Sequence, residues 1–212
     1  MQLNFDNAFE EGRTIETEHG TQIPKMRRIG DLVIPTGFVV ACDPFVNFDS
    51  LAFKTQIPIG TFPVILSVAD FGDDQRVVYA KLQISDNSAV RWELALHPSQ
   101  NITSLEEGAI FGYPVDSGTG CFMDAETAKI FSDKADEDFA DFMMKEMEKN
   151  YVHTWDWANF TFEGTIGNLI TFKSGLGDGV YASYFGFDEN DELTCLVTDF
   201  GLFEEEENYW EK

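Results

Sequence analysis

Two glycine-rich segments hold the side chains best suited to chemistry. The first runs Phe111-Gly112-Tyr113-Pro114-Val115-Asp116-Ser117-Gly118-Thr119-Gly120-Cys121-Phe122-Met123-Asp124. Its glycines let backbone N–H groups turn toward a ligand, and a following helix start favours anions and thiolates. On that reading Cys121 is a nucleophile, Asp116 orients a partner group, and Gly118, Thr119 and Gly120 bind the ligand. The competing reading is a tight strand-to-helix turn with a small buried cysteine. The segment is no phosphate loop, because no lysine follows the glycines at the required spacing.

The second segment is Phe172-Lys173-Ser174-Gly175-Leu176-Gly177-Asp178-Gly179-Val180-Tyr181. Asp178 between Gly177 and Gly179 is a candidate base or cation ligand, and the two glycines are candidate ligand-binding positions. An aspartate in such a turn also commonly accepts its own backbone N–H groups. A calcium loop would need acidic residues at alternate positions, which are missing. Arg91, beside Trp92 and Glu93, is either half of an ion pair or an anchor for an anionic ligand. His19, His97 and His153 stand in no metal-binding spacing, so no metal site is read from local motifs. A dyad of Cys121 with His97 or His153 requires the fold to bring them together. Asp43 and Asp199 stand out among the carboxylates because each ends a strand-like run. No cofactor is identified.

These side chains need a scaffold, and the hydrophobic pattern specifies most of one. Leu32–Ile34 and Phe38–Cys42 read as strands about a Pro-Thr-Gly turn. Gly60–Ala69 and Arg76–Ile84 read as a hairpin around Asp70–Asp74, with period-two alternation in its second arm. Ala89–Leu96 continues in the same style. Between Asp124 and Asn150 the apolar residues Ala128, Phe131, Ala135, Phe139, Phe142, Met143 and Met147 recur every three or four positions, which is helical spacing. Asp124 is the expected N-cap, and the polar stretch Asp133–Asp138 leaves open one helix or two. Strands return at Asn168–Lys173, Val180–Phe187 and Leu193–Phe200, the last two joined by an Asn/Asp turn. The expectation is a single α+β domain over residues 1–212: a mostly antiparallel sheet, open or curled into a partial barrel, with one substantial helix packed on it. Residues 1–30 are expected to be irregular, and 204–212 to form an acidic tail.

The chain has 212 residues, 14 of them basic and 38 acidic, for a net charge of −24. At 43% hydrophobic and with 20 phenylalanines it can bury a core despite that charge. A surface this acidic repels nucleic acid and anionic membranes and attracts a basic partner. No run approaches the roughly 20 apolar residues of a membrane span, and the start of the chain lacks a secretory signal. Three cysteines without short spacing fit reduced thiols and a cytoplasmic location. The expected function is non-catalytic: capture of a basic protein in the manner of a small immunity protein, or binding of a small polar ligand. The alternative is a hydrolase or transferase acting on a small polar molecule through Asp116, Cys121 and Asp178.

Four segments together carry a resemblance: Ile34-Pro35-Thr36-Gly37 with Val40–Pro44, Tyr113–Asp124, Ser174–Tyr181 and Leu196–Phe200. From about Gly30 to Phe200 the chain resembles the domain-of-unknown-function family 4241. The resemblance implies one fold that holds these motifs together, and it brings no activity with it.

Overall fold

The computed structural model describes residues 4–17, 20–46, 50–106 and 108–203. His19 and the acidic run Glu204–Glu207 therefore lie outside the described residues. A 3-10 turn at Phe5–Phe9 is followed by β1 (Ile15–Thr17), β2 (Gly20–Gln22), β3 (Lys25–Ile34) and β4 (Val39–Cys42). Next come β5 (Gly60–Phe71), β6 (Asp74–Gln83), β7 (Arg91–Leu94), β8 (Tyr113–Val115) and β9 (Thr119–Asp124). Helices α1 (Ala125–Lys134) and α2 (Glu137–Glu148) precede β10 (Trp157–Thr161), β11 (Asn168–Lys173), β12 (Gly179–Tyr181), β13 (Ser183–Phe187) and β14 (Leu193–Asp199).

All pairings between these strands are antiparallel. A six-stranded sheet has the order β3-β5-β6-β14-β13-β7, a four-stranded sheet the order β10-β11-β9-β4, and β1-β2 and β12-β8 form two small ladders. The α+β expectation is corrected here: the protein is mainly β, the helical segment is two helices, and among the described residues no sheet closes into a barrel. The helical periodicity is real but spans a small share of the chain. The helix breaks at Ala135, whose ψ of 110° leaves the helical region, and Asp136 restarts it by accepting a hydrogen bond from Phe139 N at 2.8 Å. Residues 1–30, expected to be irregular, hold β1, β2 and the first part of β3.

The layers follow from which side chains each strand turns to which face. The inner faces of the two large sheets meet in the main core, where Leu32, Leu66, Leu82 and Leu196 pack against Ala41, Phe122, Ile170 and Phe172. The opposite face of the four-stranded sheet presents Val40, Cys42, Cys121, Met123 and Leu169 to Phe131, Met143 and Met147 of the helices. The outer face of the six-stranded sheet is covered by Phe5, Phe9, Leu202 and Phe203. Sheets buried on both faces need apolar residues at consecutive positions, and all six residues of β9 are buried. Asp124 caps α1 through Glu126 N at 2.8 Å and also accepts from Thr36 N and Oγ1. Among the described residues no helix is long and apolar enough to cross a membrane.

Candidate functional site

Strand register brings the two glycine-rich segments together. In the four-stranded sheet Thr119 lies opposite Lys173, and in the small ladder Val115 lies opposite Gly179. The intervening loops, 116–118 and 174–178, therefore connect the same two ladders side by side. Ser174 N donates to Gly118 O at 3.1 Å. A methyl group on Gly118 would sit 3.5 Å from Gly177 Cα, so the backbones touch where both lack side chains. Ser174 Oγ and Tyr181 OH both donate to Gly177 O, at 2.9 and 2.8 Å, fixing the second loop from inside.

The first loop is fixed by Asp43, immediately after β4. Its carboxylate is wholly buried and accepts from Asp116 N at 2.9 Å, Ser117 N at 2.8 Å, Ser117 Oγ at 2.7 Å and Phe45 N at 2.9 Å. A buried carboxylate persists where hydrogen bonds replace its lost hydration, and here both oxygens have partners. Asp43 is thus the support on which Ser117 and Gly118 rest.

Beyond the loops, α2 leans over β10 and β11 and leaves an open cleft of about 540 Å³, lined by Phe45, Ser117, Thr119, Met144, Asp156 and Lys173, among others. Asp141, Lys145, Met147 and Glu148 complete its helix wall. Lys173 Nζ donates to Thr119 Oγ1 at 3.4 Å and lies 3.8 Å from Asp156 Oδ1. The Asp156 side chain is only 13% exposed, and its Oδ1 is buried with no hydrogen-bond partner among the described residues. Burial pushes the Asp156 carboxyl above the usual carboxylate range, with Glu148 reinforcing the shift and Lys173 opposing it.

The other candidates named from the sequence sit apart from this cleft or are occupied within the fold. Cys121 is 0% exposed. Its thiol faces Cys42, with Sγ to Sγ at 3.5 Å, and burial raises it well above the ordinary thiol range. His97 Nδ1 lies 3.2 Å from Ala52 O, and His153 bonds the carbonyl of Asp73. Both histidines thus have partners other than the thiol. Asp116 and Asp178 are exposed at the rim of the touching loops. Thr119 and Gly120 are buried in β9, and a methyl group on Gly120 would come within 2.9 Å of the Tyr113 hydroxyl. Arg91 belongs to the far end of the six-stranded sheet, paired with Glu93 and with Asp191 at 3.0 Å, its guanidinium 4.2 Å from the Phe187 ring centre. Asp199 accepts from Gly201 N at 2.8 Å and shapes the turn after β14. Among the described residues no cluster of three or more His, Cys, Asp and Glu is placed to hold a metal ion.

Sequence reasoning alone misses Asp156, Lys173 and the α2 wall as members of one site. Two signals are present nonetheless: Lys173 opens the second glycine-rich segment, and Asp156 lies between Trp155 and Trp157, large apolar neighbours that dry a carboxylate.

The model of a family described as "Protein of unknown function (DUF4241)" matches residues 32–198 of this chain. No curated protein and no solved structure matches it.

Proposed function

The chain belongs to the DUF4241 family, and from its site alone we propose that it is a non-catalytic binding protein that captures a positively charged protein partner through the α2 cleft. One observation carries this reading: the Asp156 carboxylate is drawn into a cleft with a poorly compensated charge. Asp141 and Glu148 stand on the facing helix, Met144 and Met147 between them. An incoming lysine or arginine has the matching anatomy, an apolar stem for the exposed Met144 and a cationic head for the carboxylates. The net charge of −24 then speeds encounter with basic surfaces and turns away polyphosphates and anionic lipid. A cytoplasmic home suits the reading, since Cys42, Cys121 and Cys195 are all unpaired and buried.

The alternative hydrolase or transferase built on Cys121 is not adopted. A nucleophile needs a thiolate and access, and this thiol lies in the closed layer between sheet and helices. The test of the binding reading is a calorimetric titration with an octa-arginine peptide at low and high salt. Wild type is expected to bind at low salt and to weaken as salt screens the attraction. The triple variant Asp141→Asn, Glu148→Gln, Asp156→Asn is expected to bind at least about tenfold more weakly. Equal affinity of variant and wild type would remove the cleft from the interface. Absence of binding to wild type would end the reading.

A further inference from the structure

We propose that Cys42 and Cys121 form a redox pair that closes to a disulfide across β4 and β9. The two residues are direct register partners on neighbouring antiparallel strands. Opposed residues of such strands hold their Cα atoms about 4.5–5.5 Å apart, inside the roughly 4.4–6.8 Å that a disulfide spans. Their sulfurs already face each other at 3.5 Å. Closure therefore needs side-chain rotation and a small approach of the sulfurs, with no rearrangement of the strands.

Position makes the pair reachable despite its burial. Strand β4 is only four residues long, forms the edge of its sheet, and ends at Cys42. All four of its residues are buried, so a reagent reaches the thiols only when this edge opens locally, at a cost bounded by that of global unfolding. Burial and the raised Cys121 thiol make the reaction slow and gated by that opening. The chemistry is two successive exchanges with a small-molecule disulfide of a monothiol such as glutathione disulfide. One cysteine gives up its proton, and its sulfur attacks glutathione disulfide, expelling one glutathione thiolate and forming a mixed disulfide. The second cysteine likewise loses its proton and attacks the protein sulfur of that mixed disulfide, expelling the second glutathione. Two protein thiols are oxidised, one glutathione disulfide is reduced to two thiols, and the two protons leave with them.

The bond would tie β4, which leads directly into Asp43, to β9, which follows the loop that Asp43 supports. Cys195 is the internal control. It lies on the outer face of the other large sheet, in a different apolar cluster from the two sulfurs.

The experiment treats the folded full-length protein with glutathione disulfide, then unfolds it in the presence of an alkylating agent and maps the cysteines by mass spectrometry. The expected result is loss of two of the three alkylatable thiols, a Cys42–Cys121 linked peptide, an alkylated Cys195 and a raised melting temperature. Cys195→Ser should oxidise as wild type does, and Cys42→Ser should form no internal link. Three alkylated thiols, a persistent glutathione adduct as the main product, or a link through Cys195 would each overturn the proposal. The wild-type and Cys195→Ser maps decide it even if Cys42→Ser fails to fold.

Discussion

Asp43 and Asp156 are two carboxylates of the same site with opposite energetic signs. Asp43 receives four hydrogen bonds on two oxygens, so removing it takes the shared acceptor from part-buried donors of Phe45, Asp116 and Ser117 and leaves a buried gap beneath the loop. Asp43→Ala is expected to destabilise the protein by about 3 kcal/mol, read as a lower urea midpoint at unchanged slope. An unchanged midpoint would show that water replaces the carboxylate at no cost. Among the described residues Lys173, 3.8 Å from Asp156 Oδ1, is the positive charge that offsets its burial. Its raised pKa means that the folded state holds the proton better than the unfolded one, so this group's stabilising contribution is lost as pH rises through the carboxylate range. Asp156→Asn is therefore expected to raise stability at neutral pH by up to about 1 kcal/mol while weakening cation binding. A stability loss together with unweakened binding would identify Asp156 as a structural partner of Lys173. Asp43 is legible in the sequence, as an aspartate closing an apolar strand before Pro44. Asp156 is far less so, because its character depends on α2, which the chain places opposite it only through tertiary packing.

At the scale of elements, sequence periodicity identifies segments better than it identifies their partners. The hairpin β5–β6 with Gly72 in its turn, the cap at Asp124 and the turn between β13 and β14 all follow from local chemistry, and each is present. Leu32–Ile34 and Phe38–Cys42 are strands too, yet they enter different sheets. Pro35-Thr36-Gly37 is a corner between layers, and local sequence cannot distinguish that from a hairpin turn because the choice is made by the long-range core. The fold class is hard to read for a related reason. The helical stripe of Phe131 and Met143 is conspicuous, whereas strands buried on both faces lose the alternation that advertises them. Asn168 shows how an edge is managed. Its side chain accepts from Val33 N at 2.8 Å and donates to Asp31 O at 2.9 Å, standing in for a neighbouring strand along β3. A third bond runs to Asn159 Oδ1 at 2.7 Å. Asn168→Ala is expected to cost about 2 kcal/mol and to uncover part of a ten-residue edge. Light scattering during thermal unfolding checks the second effect: earlier aggregation than wild type is expected, and equal stability with equal scattering would show the edge closed by other means.

Across the whole molecule, two electrostatic regimes meet. The acidic surface of a chain with net charge −24 repels itself and yields to salt, while the interior holds thiols and a tyrosine hydroxyl kept neutral by burial, which salt does not reach. Alkaline pH separates the two. Burial pushes the Cys195 thiol from its ordinary value of 9.0 up to about 11, and raises Cys121 and Tyr113 in the same direction. The folded state therefore retains these protons at a pH where the unfolded chain releases them. It binds more protons than the unfolded state over that interval, so stability falls as pH rises. For Cys195 the contribution is fully present below about pH 9 and is lost progressively toward pH 11. At roughly 1.4 kcal/mol per pH unit, Cys195 alone accounts for about 3 kcal/mol. Urea midpoints measured between about pH 8 and pH 11 should decline, and Cys195→Ala should flatten the decline relative to wild type. Added salt should raise all the midpoints by relieving surface repulsion while leaving the difference between the two proteins intact. If salt abolished that difference, the alkaline loss would belong to the surface charge, and the buried thiol would have no part in it.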